Sequence, residues 1–241
     1  MVSSETAKRK DISWEQAVEE VKGVVGGEVL IVEEMMGYSA KDEWFPHGPA
    51  KDHEGGHGGR VFVLGMVLAK TLEAGAKRIK DFDLGINIEA LGWALGLHDI
   101  EANIKENGRE YRDHGLAAAE WIEENWQEVG VSEEIVGLVM DICEWHISAD
   151  KDIPGDKRTM ELSIVRNADS LDRVRFENGR QAEHALDESF LTFEVAKAWL
   201  VPIARELFRL TELGEGKEYD SVEEGFKAVV KAGVEMGLIR A

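Results

Sequence analysis

The sequence predicts an all-α protein, and three observations carry that expectation. Proline is scarce, four in 241 residues, so few points in the chain must break a helix. Apolar residues recur at three- and four-residue spacing through most of the chain. Residues with the spacing of helix caps stand just before several of those periodic segments.

The elements follow in chain order. Ser13 and Gln16 have capping-box spacing and start a helix that runs to about Val24. "EVLIVEEMM", 28–36, is too short for periodicity to choose between strand and helix. Residues 37–59, "GYSAKDEWFPHGPAKDHEGGHGG", carry Gly, Pro and Asp without a period and read as loop. One helix follows from Arg60 to about Glu73 and another from about Asn87 to Asp99. "EYRDHGLAAAEWIEENW", 110–126, places Leu116, Ala119, Ile122 and Trp126 on one helical face. Ser132 is the expected N-cap of a helix reaching 147, with Glu133 and Glu134 in the first turn where the helix dipole favours them. A helix from about Thr159 to Phe176 carries Ile164, Val165, Ala168 and Leu171. Two more cover 190–212 and 221–238, the second opened by Ser221 and Glu224 as a capping box. No internal repeat or low-complexity linker interrupts them. The expected organisation is one domain over 1–241, with a core at about 50–176 and a C-terminal helical extension, 177–241.

Composition narrows the class. Hydrophobic residues make up 44% of the chain, enough for a sizeable core. The longest apolar run, Val61 to Ala69, is too short to cross a bilayer. The opening "MVSSETAKRKDISWEQ" lacks the apolar centre of a signal peptide. A single cysteine, Cys143, rules out an intrachain disulfide and fits a reducing cytoplasm. The net charge of −20 argues against a protein that coats nucleic acid by bulk attraction. A small nucleotide in a locally basic pocket stays compatible with it, as does a homo-oligomer.

Seven histidines occur, at 47, 53, 57, 98, 114, 146 and 184. His57 stands before the 60–73 helix after a glycine-rich approach, "HEGGHGGRV". "EALGWALGLHDIEAN" is apolar until it reaches the adjacent pair His98 and Asp99. His114 opens one helix, His146 closes the next, and Asp169 interrupts an apolar helix face in "RNADSLDRV". Bundles build metal sites from side chains projecting inward from facing helices. Imidazole and carboxylate donors suit divalent transition ions, and an aspartate can bridge two of them. Neighbouring helix residues differ by about 100° in direction. His98 and Asp99 therefore meet one point only if they straddle it or if the helix ends there.

On these residues the chain resembles the HD superfamily of metal-dependent phosphohydrolases. "HEGGHGGRV" is similar to the family's first motif, with His57 as the ligand and His53 upstream. "LGLHDI" is similar to the His-Asp pair that names the family, and "NADSLDRV" to its final aspartate motif, with Asp169 as the ligand and Asp172 three residues later. The resemblance spans about 50–176. It implies an all-helical HD-domain bundle with His57, His98, Asp99 and Asp169 around one metal. His114 and His146 stand where binuclear members carry two further histidines, so Asp99 would then bridge two ions. The text after His146 lacks the Gly-Tyr-Pro signature of the cyclic-di-nucleotide branch. "HDIEAN" carries Glu101 alone, not the acidic pair of the guanosine-tetraphosphate hydrolases.

The expected function is hydrolysis of a nucleotide or other small phosphoester by a metal-activated water, using one or two ions of iron, manganese, nickel, zinc or cobalt. Asp99, Arg60, Lys105 and Arg109 are the candidate catalytic residues. Arg60 lies one turn from His57 and either pairs with a carboxylate or meets a phosphate. Lys105, Arg109 and Arg112 fall between two ligand-bearing segments, where their cations can hold phosphate oxygens. Asp172 is expected to support the site or to pair with Arg173 or Arg175. Gly92 and Gly96 have the spacing for close helix packing. Two other readings stay open: a mixed-valence di-iron oxygenase using the same six ligands, and a ligand-binding domain without catalysis.

Overall fold

A computed structural model describes residues 12–27, 29–45, 55–102, 105–106, 109–110, 113–177, 184–213 and 219–241. The fold is all-α. The helices are α1 (Trp14–Val25), α2 (Val32–Met36), α3 (Gly55–Lys80), α4 (Ile88–Leu97), α5 (His114–Val129), α6 (Val136–Trp145), α7 (Met160–Asp172), α8 (Val201–Thr211) and α9 (Val222–Glu235). Extended pairing among the described residues is limited to two short ladders. β1 (Leu30–Ile31) pairs in parallel with β4 (Ile239–Arg240), and β2 (Lys105–Glu106) pairs antiparallel with β3 (Arg109–Glu110).

Local chemistry accounts for several boundaries. The Ser13 side chain accepts from the Gln16 amide at 3.3 Å while the Gln16 side chain accepts from the Ser13 amide at 3.1 Å. Thr159 caps α7 through the Leu162 amide, and Ser221 caps α9 through the Glu224 amide. The ambiguous segment 28–36 turns out to be both things, a two-residue strand followed by a short helix. Two other boundaries differ from expectation. Ser132 is not a cap: its carbonyl accepts from the amides of Ile135 and Val136 in a turn, and α6 begins at Val136. Residues 109–110 belong to a strand, and α5 starts at His114, where the Asp113 carboxylate accepts from the Leu116 amide.

The largest departure is α3. Its 26 residues begin at Gly55, five before the expected start, and include the glycine-rich approach to His57. Glycine disfavours helix by about 1 kcal/mol per residue relative to alanine, so local propensity alone places this boundary later. Packing overrides it. A Cβ on Gly59 would stand 3.0 Å from a Val229 methyl and 3.2 Å from the Phe226 Cα, so the glycine lets α3 lie close against α9. The run Val61 to Leu64 that follows is fully buried, with α9, α7, α4 and α1 packed around the helix. Among the described residues no helix is long and apolar enough to cross a membrane.

Candidate metal centre

Five chain segments deliver the six expected ligands to one place. Helix α3 carries His57 in its first turn, and α5 opens on His114. Helix α4 is a short, nearly all-buried rod, capped at its start by Asn87 and ending at His98. Beyond it the chain turns, the Ile100 amide bonding the Leu97 carbonyl and the Ala102 amide the Asp99 carbonyl. The helix thus ends where the pair begins, and that is how two adjacent side chains reach one point. Helix α6 ends at His146, and α7 supplies Asp169 one turn from its C-terminus. Buried Glu161 ties the start of α7 to the start of α4 by accepting from the Asn87 amide at 2.7 Å.

Asp99 stands at the middle. Its Oδ2 lies 3.0 Å from His57 Nε2 and 3.3 Å from His98 Nε2. Its Oδ1 lies 3.1 Å from His114 Nε2 and 3.4 Å from His146 Nε2. His57 Nε2 is also 3.7 Å from Asp169 Oδ1. The donors form two groups sharing Asp99, one of His57, His98, Asp99 and Asp169 and one of Asp99, His114 and His146, each able to hold a metal ion.

The imidazoles are set for that use. His57 Nδ1 faces Asp172 Oδ2 at 2.8 Å, His98 Nδ1 faces the Leu95 carbonyl at 3.1 Å, and His146 Nδ1 faces the Cys143 carbonyl at 2.6 Å. An acceptor at Nδ1 keeps the proton there and leaves the Nε2 lone pair for a metal. Arg175 Nη1 also lies 3.2 Å from His57 Nδ1, but the nearer carboxylate determines where the proton sits. Among the described residues His98 Nε2 is buried without a well-formed hydrogen bond, although Asp99 Oδ2 lies 3.3 Å away. A buried nitrogen with no partner is costly, and a metal ion would satisfy it. The donor set and this orphaned atom both fit a divalent ion.

Charge tells the same story. Burial pushes the His98 pKa down, yet the carboxylates of Asp99 and Asp169 outweigh it and raise the value to about 9. His114 is raised in the same way against burial, by its hydrogen bond to Asp99 and by that group's charge. His146 goes the other way, since burial and the neighbouring His98 charge outweigh Asp99. Without an ion, protons gather on some of these rings to balance the carboxylates.

Behind His57 lies a buried ion cluster. Asp172 accepts from Arg60 Nε at 2.5 Å, Arg60 Nη2 at 3.2 Å and Arg175 Nη1 at 2.8 Å. These cations hold its carboxyl well below the usual range despite complete burial. Arg60, 2% exposed, gives both edges of its guanidinium to Asp172 and Thr211, so of its two expected roles the structure shows the pairing with a carboxylate. Arg175, together with Arg60, fills the partnership with Asp172 for which Arg173 was the other candidate. The roles of the Leu95 and Cys143 carbonyls had no signal in the sequence, since any residue supplies a carbonyl. The thiol of Cys143 is buried and its pKa raised by desolvation, which suits a core residue.

The remaining candidates separate. The backbones of Lys105 and Arg109 lie in the paired strands β2 and β3, between Asp99 and His114 in the chain, while their side chains lie outside the described structure, as do Arg112, His47 and His53. His184 is exposed beside the Phe176 ring. Trp93 is core, and Gly92 and Gly96 both pack closely on Tyr38.

Close approach also builds the second group. A Cβ on Gly115 would stand 2.7 Å from the Cys143 carbonyl oxygen and 2.6 Å from that of Glu144, so only glycine lets α5 sit this near α6. Gly115→Ala is expected to push the helices apart, withdraw His114 from His146 and cost about 1–3 kcal/mol. Elemental analysis should then find less bound metal in the variant than in the native chain. Native metal content at native affinity would contradict this placement of His114.

Against protein-family models, curated proteins and solved structures, the chain gives no match.

Proposed function

We propose that this chain is a metal-dependent phosphohydrolase of the HD type, acting on a nucleotide or another small phosphoester. The observation that carries this reading is the division of imidazoles about Asp99, two facing each carboxylate oxygen. His57, His98, Asp99 and Asp169 would hold one divalent ion, and Asp99, His114 and His146 a second. Such ions lower the pKa of water and withdraw charge from a phosphoryl oxygen. The chain's own part is orientation and shielding. Asp172 and the Leu95 and Cys143 carbonyls aim the rings. The His57, His98 and His146 side chains are at most 2% exposed, so water is kept from that side. Asp169 at 35% and His114 at 20% mark the side open to substrate.

The test is elemental analysis of protein purified without added metal, followed by phosphate release from a panel of phosphoesters before and after chelation. Bound divalent metal and chelator-sensitive release are expected. Iron with a mixed-valence paramagnetic signal and no phosphate release would replace this reading with the oxygenase. Metal with tight ligand binding and no turnover would replace it with a binding domain.

Metal loading should be linked to protons. An ion needs the neutral imidazole, and His98 in the metal-free chain holds its proton up to about pH 9. Affinity should therefore rise with pH toward that value and fall as pH drops. Calorimetric titration at pH 7.5, in buffers of different ionisation enthalpy, should report release of about one proton or more per chain. Zero net release would show that the rings are already neutral.

A further inference from the structure

We propose that Arg173 grips the terminal oxygens of the substrate at the open side of the metal centre, which makes that substrate a phosphomonoester. The inference rests on the phosphohydrolase reading and names its substrate class. Arg166, Asp169 and Arg173 follow one another at helical spacing, three and then four residues apart, along α7 and its 3-10 continuation (Arg173–Phe176). They share one face. Asp169, in the middle, is the most exposed of the six candidate ligands at 35%. Arg173 retains helical backbone angles, φ −63° and ψ −7°, so its Cα–Cβ bond tilts back over the turn that carries Asp169.

Its charge is uncommitted. Arg60 and Arg175 are taken by Asp172, Arg166 by Asp150 and Arg205 by Glu177. Arg173 is half-buried, and among the described residues its guanidinium has neither an ion pair nor a hydrogen bond. The other described cations without a partner, Lys77, Arg78, Lys151 and Lys231, are exposed to water. The chain has 48 acidic residues against 28 basic, so carboxylates are in ample supply, yet among the described residues none meets this arginine. A half-desolvated guanidinium gains most from an anion brought by a ligand, and its planar fork matches two phosphate oxygens at once. A phosphomonoester keeps three acceptor oxygens, enough for the fork and for contact with the metal centre. A diester keeps fewer.

The experiment compares the metal-loaded full chain with Arg173→Gln and Arg173→Lys. Binding of inorganic phosphate is measured by calorimetry, and kcat and KM are measured for p-nitrophenyl phosphate. Arg173→Gln should weaken phosphate binding and raise KM by about 10- to 100-fold. Metal content and thermal midpoint should stay unchanged, and Arg173→Lys should recover part of the loss. Native phosphate affinity in Arg173→Gln overturns the proposal, and so does a native loaded chain that binds no phosphate. If phosphate binding falls in the variant but the native chain hydrolyses no ester, the Arg173 site stands and the hydrolase reading fails.

Discussion

On the proposed phosphohydrolase reading, Asp99→Ala is expected to strip the chain of metal and to abolish turnover. Asp99 is the one donor common to both groups, so its loss removes a ligand from each. Four imidazoles and Asp169 would remain, without the carboxylate that holds the two groups at a common distance. Metal chemistry supplies several kcal/mol of transition-state stabilisation, so its loss should lower kcat/KM by at least about a thousandfold. The fold should survive, because the contacts of Asp99 to the rings are charge interactions and not core packing. Removing the carboxylate also removes what draws protons onto His98, so the ring should titrate lower than about 9. The check is metal content by mass spectrometry beside the helical signal in circular dichroism. A folded Asp99→Ala protein with its full complement of metal would refute the site.

Asp172→Ala should be the most destabilising single change near the centre. It leaves Arg60 with its charge buried at 2% exposure, with, among the described residues, only Thr211 Oγ1 at 3.3 Å and the Phe208 ring at 5.3 Å as company. Breaking a buried pair from one side costs about 3–5 kcal/mol. At about 2–4 °C per kcal/mol for a chain of this size, the thermal midpoint should drop by roughly 6–20 °C. Metal affinity should fall as well, by about 10- to 100-fold, because His57 loses the acceptor that fixes its proton on Nδ1. Asp172→Asn keeps the volume and an acceptor oxygen, so it separates the effects: stability should still fall, with a smaller loss of affinity. A native midpoint in both variants would show that Arg60 finds another partner.

The same carboxylate fixes the acid limit of the fold. Burial alone would raise the pKa of Asp172, but Arg60 and Arg175 outweigh it and hold the folded value well below the unfolded one. A depressed carboxyl stabilises the fold above its unfolded pKa of about 4, and that contribution is lost as pH falls toward the folded value. Acid unfolding should therefore begin below about pH 4 and should be blunted in Asp172→Asn.

How much of this was legible beforehand depends on how far apart the interacting groups lie. Caps are local, and the Ser13–Gln16 box and the Ser221 cap stand where their spacing puts them. The candidate ligands were legible one by one because imidazoles and carboxylates on apolar helices are conspicuous. Their meeting around one aspartate was legible only through the family resemblance, since it depends on five chain segments at once. The partner of Arg60 was equally hidden, 112 residues away on another helix. The glycine approach to His57 misled, because propensity sees four glycines while the fold sees Val229 needing the space of a missing Cβ. Residues 105–106 and 109–110 pair in strands too short for alternation to register in the sequence.

The sequence by itself determined that the protein is helical, where most helices begin, and which side chains can bind a metal. Those properties follow from groups within a turn or two of each other and from the chemistry of single residues. Only the tertiary structure decided that Asp99 faces two histidines with each oxygen, that Arg60 pairs with Asp172, and that among the described residues no carboxylate meets Arg173. These depend on distances between helices, which are set by close packing at Gly59 and Gly115 and by the burial of charge at Asp172. Periodicity along one helix carries no information about either.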